Sequence, residues 1–200
     1  METIFRTYSA GDDVAGSPDD TDDAELVRAV AAGDRAALAT LYRRHSQLLL
    51  SQLMLAVGEQ TLSEELLQDT MLAAWRGAAS FRGDAKVRTW LIAIARRQAR
   101  DRLRRHRLQS VDDTLLAESP ALEPGPEQHA LGRAEAAAVA SAIRALSRPH
   151  RELIGLVFGA GLTMAEAAQV LEIPLGTVKS RLSAARTALT QALTEKGYVR

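Results

Sequence analysis

The stretch TMAEAAQVLEIPLGTVKSRLSAAR, residues 163–186, decides the fold of the second part of this 200-residue chain. Thr163 and Glu166 have the spacing of a capping box, which predicts that a short helix begins after Thr163. A four-residue turn over residues 172–175 follows, and a longer helix begins near Gly176. A short helix, a tight turn and a longer helix with cations near its start are typical of the DNA-binding helix-turn-helix.

The longer helix is predicted to have two opposite faces. Its buried stripe recurs at helical spacing and consists of Val178, Leu182, Ala185 and Leu189. The opposite face is short and polar with cations at its edges, so hydroxyls can bond to base edges in a major groove while cations reach phosphates. An ordinary amphipathic surface helix would explain the apolar stripe equally well, but not the turn, the cap and the charge together. The predicted DNA-binding residues are Thr177, Lys179, Ser180, Arg181, Ser183 and Arg186.

The first part of the chain is also helical in its periodicity. Asp34 predicts the N-cap of a long helix that ends at Gly58. Thr61 and Glu64 predict a second capping box, and Thr89 predicts the N-cap of a further helix. The inward-facing residues of that further helix are predicted to be Trp90, Ile94 and Leu103. Sustained period-two alternation, the signal of a strand, is nearly absent, so the fold class is predicted to be all-α.

Charge is segregated along the chain although the formal net charge is zero. Residues 1–25 have a net charge of −7, and residues 82–107 have a net charge of +8. Residues 108–140 then carry −5 and residues 141–200 carry +4. Two basic blocks separated by an acidic one fit two contacts with a polyanion, whereas a single basic run would more simply be a solvated helix face. In the first basic block, one helical stripe holds Arg97, Arg100, Arg104 and Arg107.

These patterns predict two small helical domains joined by an acidic, proline-containing linker. Residues 1–23 are expected to form a disordered acidic tail, since they hold few apolar side chains. Residues 24–107 form the first predicted domain, residues 108–129 the flexible linker, and residues 130–198 the helix-turn-helix domain. The linker is expected to hold the two domains apart.

The composition excludes several classes of protein. The chain has no cysteine, which excludes a disulfide framework and a thiolate metal site. Its four histidines form no compact ligand pair, and it has no phosphate-cradling glycine loop. No apolar run approaches the roughly 20 residues of a membrane span, and the start lacks a signal peptide. We therefore expect a cytoplasmic protein that is not an enzyme, binds no cofactor or metal, and does not insert into a membrane.

Segments of both parts resemble the extracytoplasmic-function (ECF) sigma factors of bacterial RNA polymerase. In the second part, LTMAEAA (residues 162–168) and GTVKSRL (residues 176–182) resemble conserved region 4. In the first part, EELLQDT (residues 64–70), FRGD (residues 81–84) and TWLIAIAR (residues 89–96) resemble conserved region 2. The resemblance covers both regions in the right order, and the family carries only these two regions.

The resemblance implies an alternative sigma factor that binds core RNA polymerase, recognises the minus 35 and minus 10 promoter elements and assists promoter melting. Region 4 would read the minus 35 element. The implied minus 10 residues are Phe81, Arg82, Asp84, Arg96, Arg97, Arg100 and Arg104. The implied contact with the clamp helices of the largest polymerase subunit consists of Glu64, Glu65, Gln68 and Asp69. Further implied partners are the polymerase flap region and an anti-sigma factor.

Three positions depart from the family pattern, and two other functions remain open. Met71 stands where the family commonly has Phe, which is a tolerable change in the core. Arg97 stands where the family usually has Asn, and Ala184 stands where many members have Arg. A stand-alone helix-turn-helix regulator would use its first domain for dimerisation or effector binding, and would bind duplex DNA without polymerase. A helical adaptor without a DNA role would show no salt-dependent DNA affinity.

Overall fold

The computed structural model describes residues 18–109 and 130–195, with side chains described over residues 22–106 and 138–195. We call these two parts the first half and the second half. The predicted tail up to residue 17 and the linker over residues 110–129 lie outside the described residues, as does the side chain of Arg107. The helices of the first half are α1 (Pro18–Ala31), α2 (Arg35–Val57), α3 (Gln60–Gly77) and α4 (Val87–Gln109).

Four further α-helices form the second half, and the described residues contain no strand. The all-α prediction is therefore confirmed. A 3-10 turn, Ala78–Ser80, follows α3, and a π-helical turn, Gly155–Gly159, continues α6. No helix in the described parts of the chain is long and apolar enough to cross a membrane. The helices of the second half are α5 (Ala130–Ala145), α6 (Arg148–Ile154), α7 (Met164–Leu171) and α8 (Leu175–Glu195).

Helix α2 begins and ends where the sequence predicts. The Asp34 Oδ1 atom accepts hydrogen bonds from the backbone N–H of Ala36 at 2.7 Å and of Ala37 at 3.2 Å. At the other end, Gly58 has a φ of 79° and donates its N–H to the carbonyl of Met54. Glycine adopts this left-handed conformation at little steric cost. Both caps are therefore confirmed.

We expect the substitution Asp34→Ala to lower the free energy of unfolding by about 1 kcal/mol, because two amide donors of the first turn lose their acceptor. The substitution Asp34→Asn keeps an acceptor oxygen at the same place and should cost much less. Urea denaturation of both variants checks this expectation. Equal losses in the two variants would mean that the charge of Asp34, rather than its capping geometry, stabilises the helix.

Two other predicted caps are wrong. Helix α3 begins at Gln60, not after Thr61, and Ser63 is buried with its Oγ donating to the Glu59 carbonyl at 2.6 Å. Helix α4 begins at Val87, and the Thr89 hydroxyl donates instead to Glu166 Oε1 at 3.2 Å. At the start of α4 the hydroxyl with capping potential is taken up by a tertiary partner, whereas at the start of α3 the predicted capping residue, Thr61, lies inside the helix and is exposed. Local capping signals are weak beside such contacts.

Helix α1 begins at Pro18, within the predicted tail and before the predicted helix start at residue 24. Asp23 is only 4% exposed. Its carboxylate accepts from Arg44 Nη1 at 2.7 Å and lies 2.7 Å from His45 Nε2. A buried carboxylate needs partners of this kind, and here they attach α1 to α2. The acidic composition of residues 1–23 led to the prediction of a disordered tail. Composition alone does not show that one of these acids has buried partners that hold it in a helix.

The buried face of α4 is shifted from the predicted face by about one residue along the sequence. Trp90, Ile94 and Leu103 are only half-buried. The most deeply buried side chains of this helix are those of Val87, Leu91, Ile92, Ala95 and Ala99. Because α4 packs against helices of both halves, its apolar surface is wider than one stripe.

The two halves share one buried core. It joins Leu53 and Ile92 of the first half to Leu153, Leu156 and Val170 of the second half. A smaller cluster lies between α5, α6 and α8. The expectation that the linker holds the halves apart is therefore wrong for this structure. The physical reason is size, because a helical unit of either length buries too little apolar surface to be more than marginally stable alone.

Candidate nucleic-acid interface

The helix-turn-helix begins with a complete capping box. Thr163 Oγ1 accepts from the N–H of Glu166 at 3.1 Å, and Glu166 Oε2 accepts from the N–H of Thr163 at 2.8 Å. Helix α7 ends at Leu171 and is capped by Glu172, which has a φ of 55° and donates its N–H to the carbonyls of Ala168 and Gln169. Helix α8 follows from Leu175. The predicted cap, turn and second helix are confirmed.

Helix α8 presents the two faces that the sequence predicts. Val178, Ala185 and Leu189 are buried, and Leu182 is half-buried. On the other side, the side chains of Lys179, Ser180, Ser183 and Arg186 are exposed, while those of Thr177 and Arg181 are half-buried. A shallow depression beside α7 includes Lys179, Ser183, Arg186 and Thr187. The candidate minus 35 face is thus polar, cationic at its edges and open to solvent.

The candidate minus 10 residues lie on α4 and on the loop before it. Phe81 is half-buried, and its ring centroid lies 5.0 Å from that of Trp90. Trp90 therefore packs against the loop rather than standing free as a stacking platform. Arg82 and Asp84 of the loop are exposed, as are Arg97 and Arg104 of the helix.

The remaining two candidate minus 10 residues contact the second half. Arg96 Nη2 donates to Glu152 Oε2 at 3.3 Å, and its Nη1 donates to the carbonyl of Val170 at 3.4 Å. Arg100 Nη1 donates to Glu172 Oε2 at 2.7 Å. This hydrogen bond raises the pKa of Arg100 and lowers the pKa of Glu172. Both cations are thus paired with carboxylates of the same chain.

The candidate polymerase-docking residues share an exposed face of α3. Glu64, Glu65, Gln68 and Asp69 are all exposed. Glu64 accepts from Gln60 Nε2 at 3.0 Å, and Glu65 forms an ion pair of 3.4 Å with Arg102 of α4. This acidic face is separate from the arginines that contact the second half, so a basic partner could reach it in the structure as it stands.

Sequence analysis did not single out the carboxylates that pair with the arginines, Glu152 and Glu172, nor Arg88, which also reaches the second half. A local signal existed for Glu172 only, since a glutamate stood in a tight turn where glycine or asparagine is favoured. No local signal marks Glu152. Within the described side chains, no three histidines or acids are grouped in a way that could hold a metal ion.

Comparison with known families assigns both halves. The model of Sigma-70 region 2 matches residues 41–109, and the model of Sigma-70, region 4 matches residues 142–191. The fold and the helix-turn-helix thus define a two-region member of the sigma-70 class of transcription factors.

The chain belongs to the ECF RNA polymerase sigma factors. It is 36% identical over 185 residues to the ECF RNA polymerase sigma factor SigM of Mycobacterium tuberculosis, with 92% of this chain and 89% of SigM covered. It is 34% identical to the RNA polymerase sigma factor CnrH of Cupriavidus metallidurans, with 88% of this chain and 96% of CnrH covered. It is an alternative sigma factor for promoter recognition, as the sequence analysis predicted.

Two solved structures have a similar fold. CnrH in complex with the cytosolic domain of CnrY matches with a TM-score of 0.63 and 28% identity, covering 86% of this chain and 97% of that chain. The sigma factor RpoE in complex with the anti-sigma factor NepR from Bartonella quintana matches with a TM-score of 0.63 and 27% identity, covering 78% of this chain and 97% of that chain.

Proposed function

We propose that the chain directs core RNA polymerase to promoters through three separate surfaces. Helix α8 reads the minus 35 element, α4 and its preceding loop hold the minus 10 element, and the acidic face of α3 binds the clamp helices. The observation that carries this proposal is the polar, cation-edged outer face of α8 behind a complete capping box and turn. Such a face fits a major groove.

The chemistry of each surface suits its proposed ligand. Arg97 and Arg104 are both exposed on α4 about two helical turns apart, where their guanidinium groups can bind phosphates of a single strand. The loop residues Arg82 and Asp84 are exposed beside Phe81, which lines an open depression that could receive an extruded base. The exposed carboxylates of α3 complement a basic helical partner.

Further parts of the proposal concern the organisation and the partners of the chain. We assign residues 24–107 to region 2 with α1 as an additional support, residues 108–129 to a connector, and residues 130–198 to region 4. The chain catalyses no reaction itself and acts in the cytoplasm, where polymerase is. Because its structural neighbours are sigma factors, one of them in complex with an anti-sigma factor, we also assign it an anti-sigma partner.

Run-off transcription with purified core polymerase on a promoter library tests the proposed function. We expect specific transcripts only when both the chain and core polymerase are present, and the enriched templates should share two sequence elements. Duplex binding to one operator that does not depend on polymerase, without transcript formation, would instead indicate a stand-alone regulator.

A further inference from the structure

Met164 places an apolar side chain beside the polar outer face of α8. It is the first residue of α7 and is 39% exposed. Together with the half-buried Leu182 of α8, it lines the shallow depression beside α7. The other residues that line this depression carry hydroxyl or cationic side chains: Lys179, Ser183, Arg186 and Thr187. The depression therefore combines an apolar pair with polar groups of the face that is proposed to read DNA.

We propose that this depression receives the C5-methyl group of a thymine in the minus 35 element, with Met164 and Leu182 as its apolar contacts. Of the four standard bases, thymine is the one that presents a methyl group in the major groove. This contact rests on the proposed role of α8 in minus 35 recognition. It adds a base that the face selects, and it assigns a base contact to a residue of α7.

Packing within α7 explains how Met164 comes to lie at this place. Helical spacing puts it on the same stripe as Ala167 and Leu171, which are buried, and one turn nearer the start of the helix. That start is fixed by the capping box of Thr163 and Glu166, in which the Met164 side chain is not a partner. The apolar stripe of α7 thus continues out of the core and ends beside the outer face of α8.

The surroundings of Met164 are what indicate a ligand. A single exposed apolar side chain needs no explanation, since much of any protein surface is apolar. Here, however, the neighbours on α8 recur at helical spacing and share one side of that helix: Lys179, Leu182, Ser183 and Arg186. The second helix of a helix-turn-helix lies in the major groove, so a duplex seated on this side brings base edges to the depression.

The polar groups of the depression favour thymine over cytosine, the other pyrimidine. Thymine presents the O4 acceptor and the methyl group, whereas cytosine presents an amino donor and no methyl group. The Lys179 ammonium and the Arg186 guanidinium carry only donors, so they can donate to O4 but cannot accept from the amino group. The Ser183 hydroxyl can bond to either base and does not discriminate between them. Methyl contact and donor chemistry therefore select the same base.

The test removes the methyl group from the DNA and keeps the hydrogen-bonding groups of the base. In the promoter that the run-off library identifies, each thymine of the minus 35 element, on either strand, is replaced singly by deoxyuridine. Holoenzyme is assembled from core polymerase and the full chain, and run-off transcripts are measured below saturation. We expect one deoxyuridine position to lower transcription by about 4-fold, the effect of burying one methyl group.

Two variants at Met164 connect the methyl group to this side chain. Met164→Gln keeps the length of the side chain but ends it in an amide, so holoenzyme with this variant should transcribe the thymine and deoxyuridine templates equally. Met164→Leu keeps an apolar side chain and should retain most of the difference. Because the side chain takes no part in the capping box, both variants should fold and bind core polymerase.

The matched control is Val139→Ala, which shortens an exposed apolar side chain of α5 in the same half. Val139 is 38% exposed, close to the exposure of Met164, but it does not line the depression. Holoenzyme with this variant should retain the preference for thymine over deoxyuridine.

Three outcomes would overturn the thymine contact. One is that no single deoxyuridine lowers transcription. Another is a methyl dependence that survives Met164→Gln, which would assign the methyl group to other residues. The third is loss of the methyl dependence in the Val139→Ala control, which would separate it from the depression.

The unmodified template distinguishes this failure from failure of the proposed function. If only the thymine contact is wrong, the unsubstituted chain still gives specific run-off transcripts with core polymerase, and removal of Lys179 and Arg186 still weakens them. If the proposed function is wrong, the unsubstituted chain gives no specific transcript on any template.

Discussion

Reversing two charges on the acidic face of α3, with Glu65→Lys and Asp69→Lys, should weaken binding to core polymerase by about 100-fold or more, because like charges juxtaposed at an interface cost several kcal/mol. Both side chains are exposed. Within the part of the chain that the structure describes, Glu65 forms an ion pair of 3.4 Å with Arg102, and an exposed pair of this kind contributes little to stability. The loss of binding should therefore not arise from unfolding. Co-purification with core polymerase and a fluorescence binding titration measure the effect.

Two controls separate docking from other consequences of charge reversal. Arg102→Ala removes the ion-pair partner of Glu65 but keeps the acidic face, and it should leave polymerase binding nearly unchanged. Glu195→Lys reverses an exposed charge at the end of α8 and should also bind normally. Undiminished co-purification of the doubly reversed chain would remove the α3 face from the docking surface.

The sequence predicted the local elements of this fold well where a signal is satisfied locally. The caps at Asp34 and Gly58 and the capping box of Thr163 each depend on residues within four positions of one another. The spacing of these residues along the sequence is therefore enough to predict the geometry of the caps. The same holds for the buried stripe of α8, because 3.6 residues per turn fix which side chains share a face.

The predictions failed where distant residues compete for the same group. Thr89 is a residue type that often caps helices, but its hydroxyl donates a hydrogen bond to Glu166 instead. These two residues lie far apart in the sequence, and no spacing rule relates them. The sequence predicts Asp23 to be one of several acids in a solvated tail. In the structure, its carboxylate is buried beside Arg44 and His45. Burial and pairing across the fold are decided by tertiary packing, and one sequence carries no direct measure of that packing.

In the candidate site, too, the features set by local spacing were predicted, and those set by tertiary packing were not. The outer residues of α8 followed from helical periodicity, and the structure exposes most of them. The pairing of Arg100 with Glu172 could not follow from periodicity, because it depends on how the second half sits on α4. A stripe of arginines in a sequence consequently indicates a cationic surface, but not whether that surface is free.

The second large effect concerns the outer face of α8. Replacing Lys179 and Arg186 with alanine should weaken minus 35 dependent transcription by about 100-fold, since each lost contact to a phosphate or base costs roughly 1–3 kcal/mol. Both side chains are exposed on the polar face, whereas Val178 and Ala185 hold the helix from the buried side. The substitutions should therefore spare the fold and the binding of core polymerase.

A matched control is the double variant Arg28→Ala and Arg43→Ala, which removes two exposed cations from α1 and α2 without touching α8. Transcription from a promoter with an intact minus 35 element should fall only in the α8 variant, and the salt slope of duplex binding should fall by about 1 for each lost phosphate contact. Equal losses in both variants would show that total charge, rather than the α8 face, determines the effect. Loss of polymerase binding together with transcription would contradict the assignment of α8 to DNA, because a groove-reading helix can lose its DNA contacts while the acidic face of α3 remains intact.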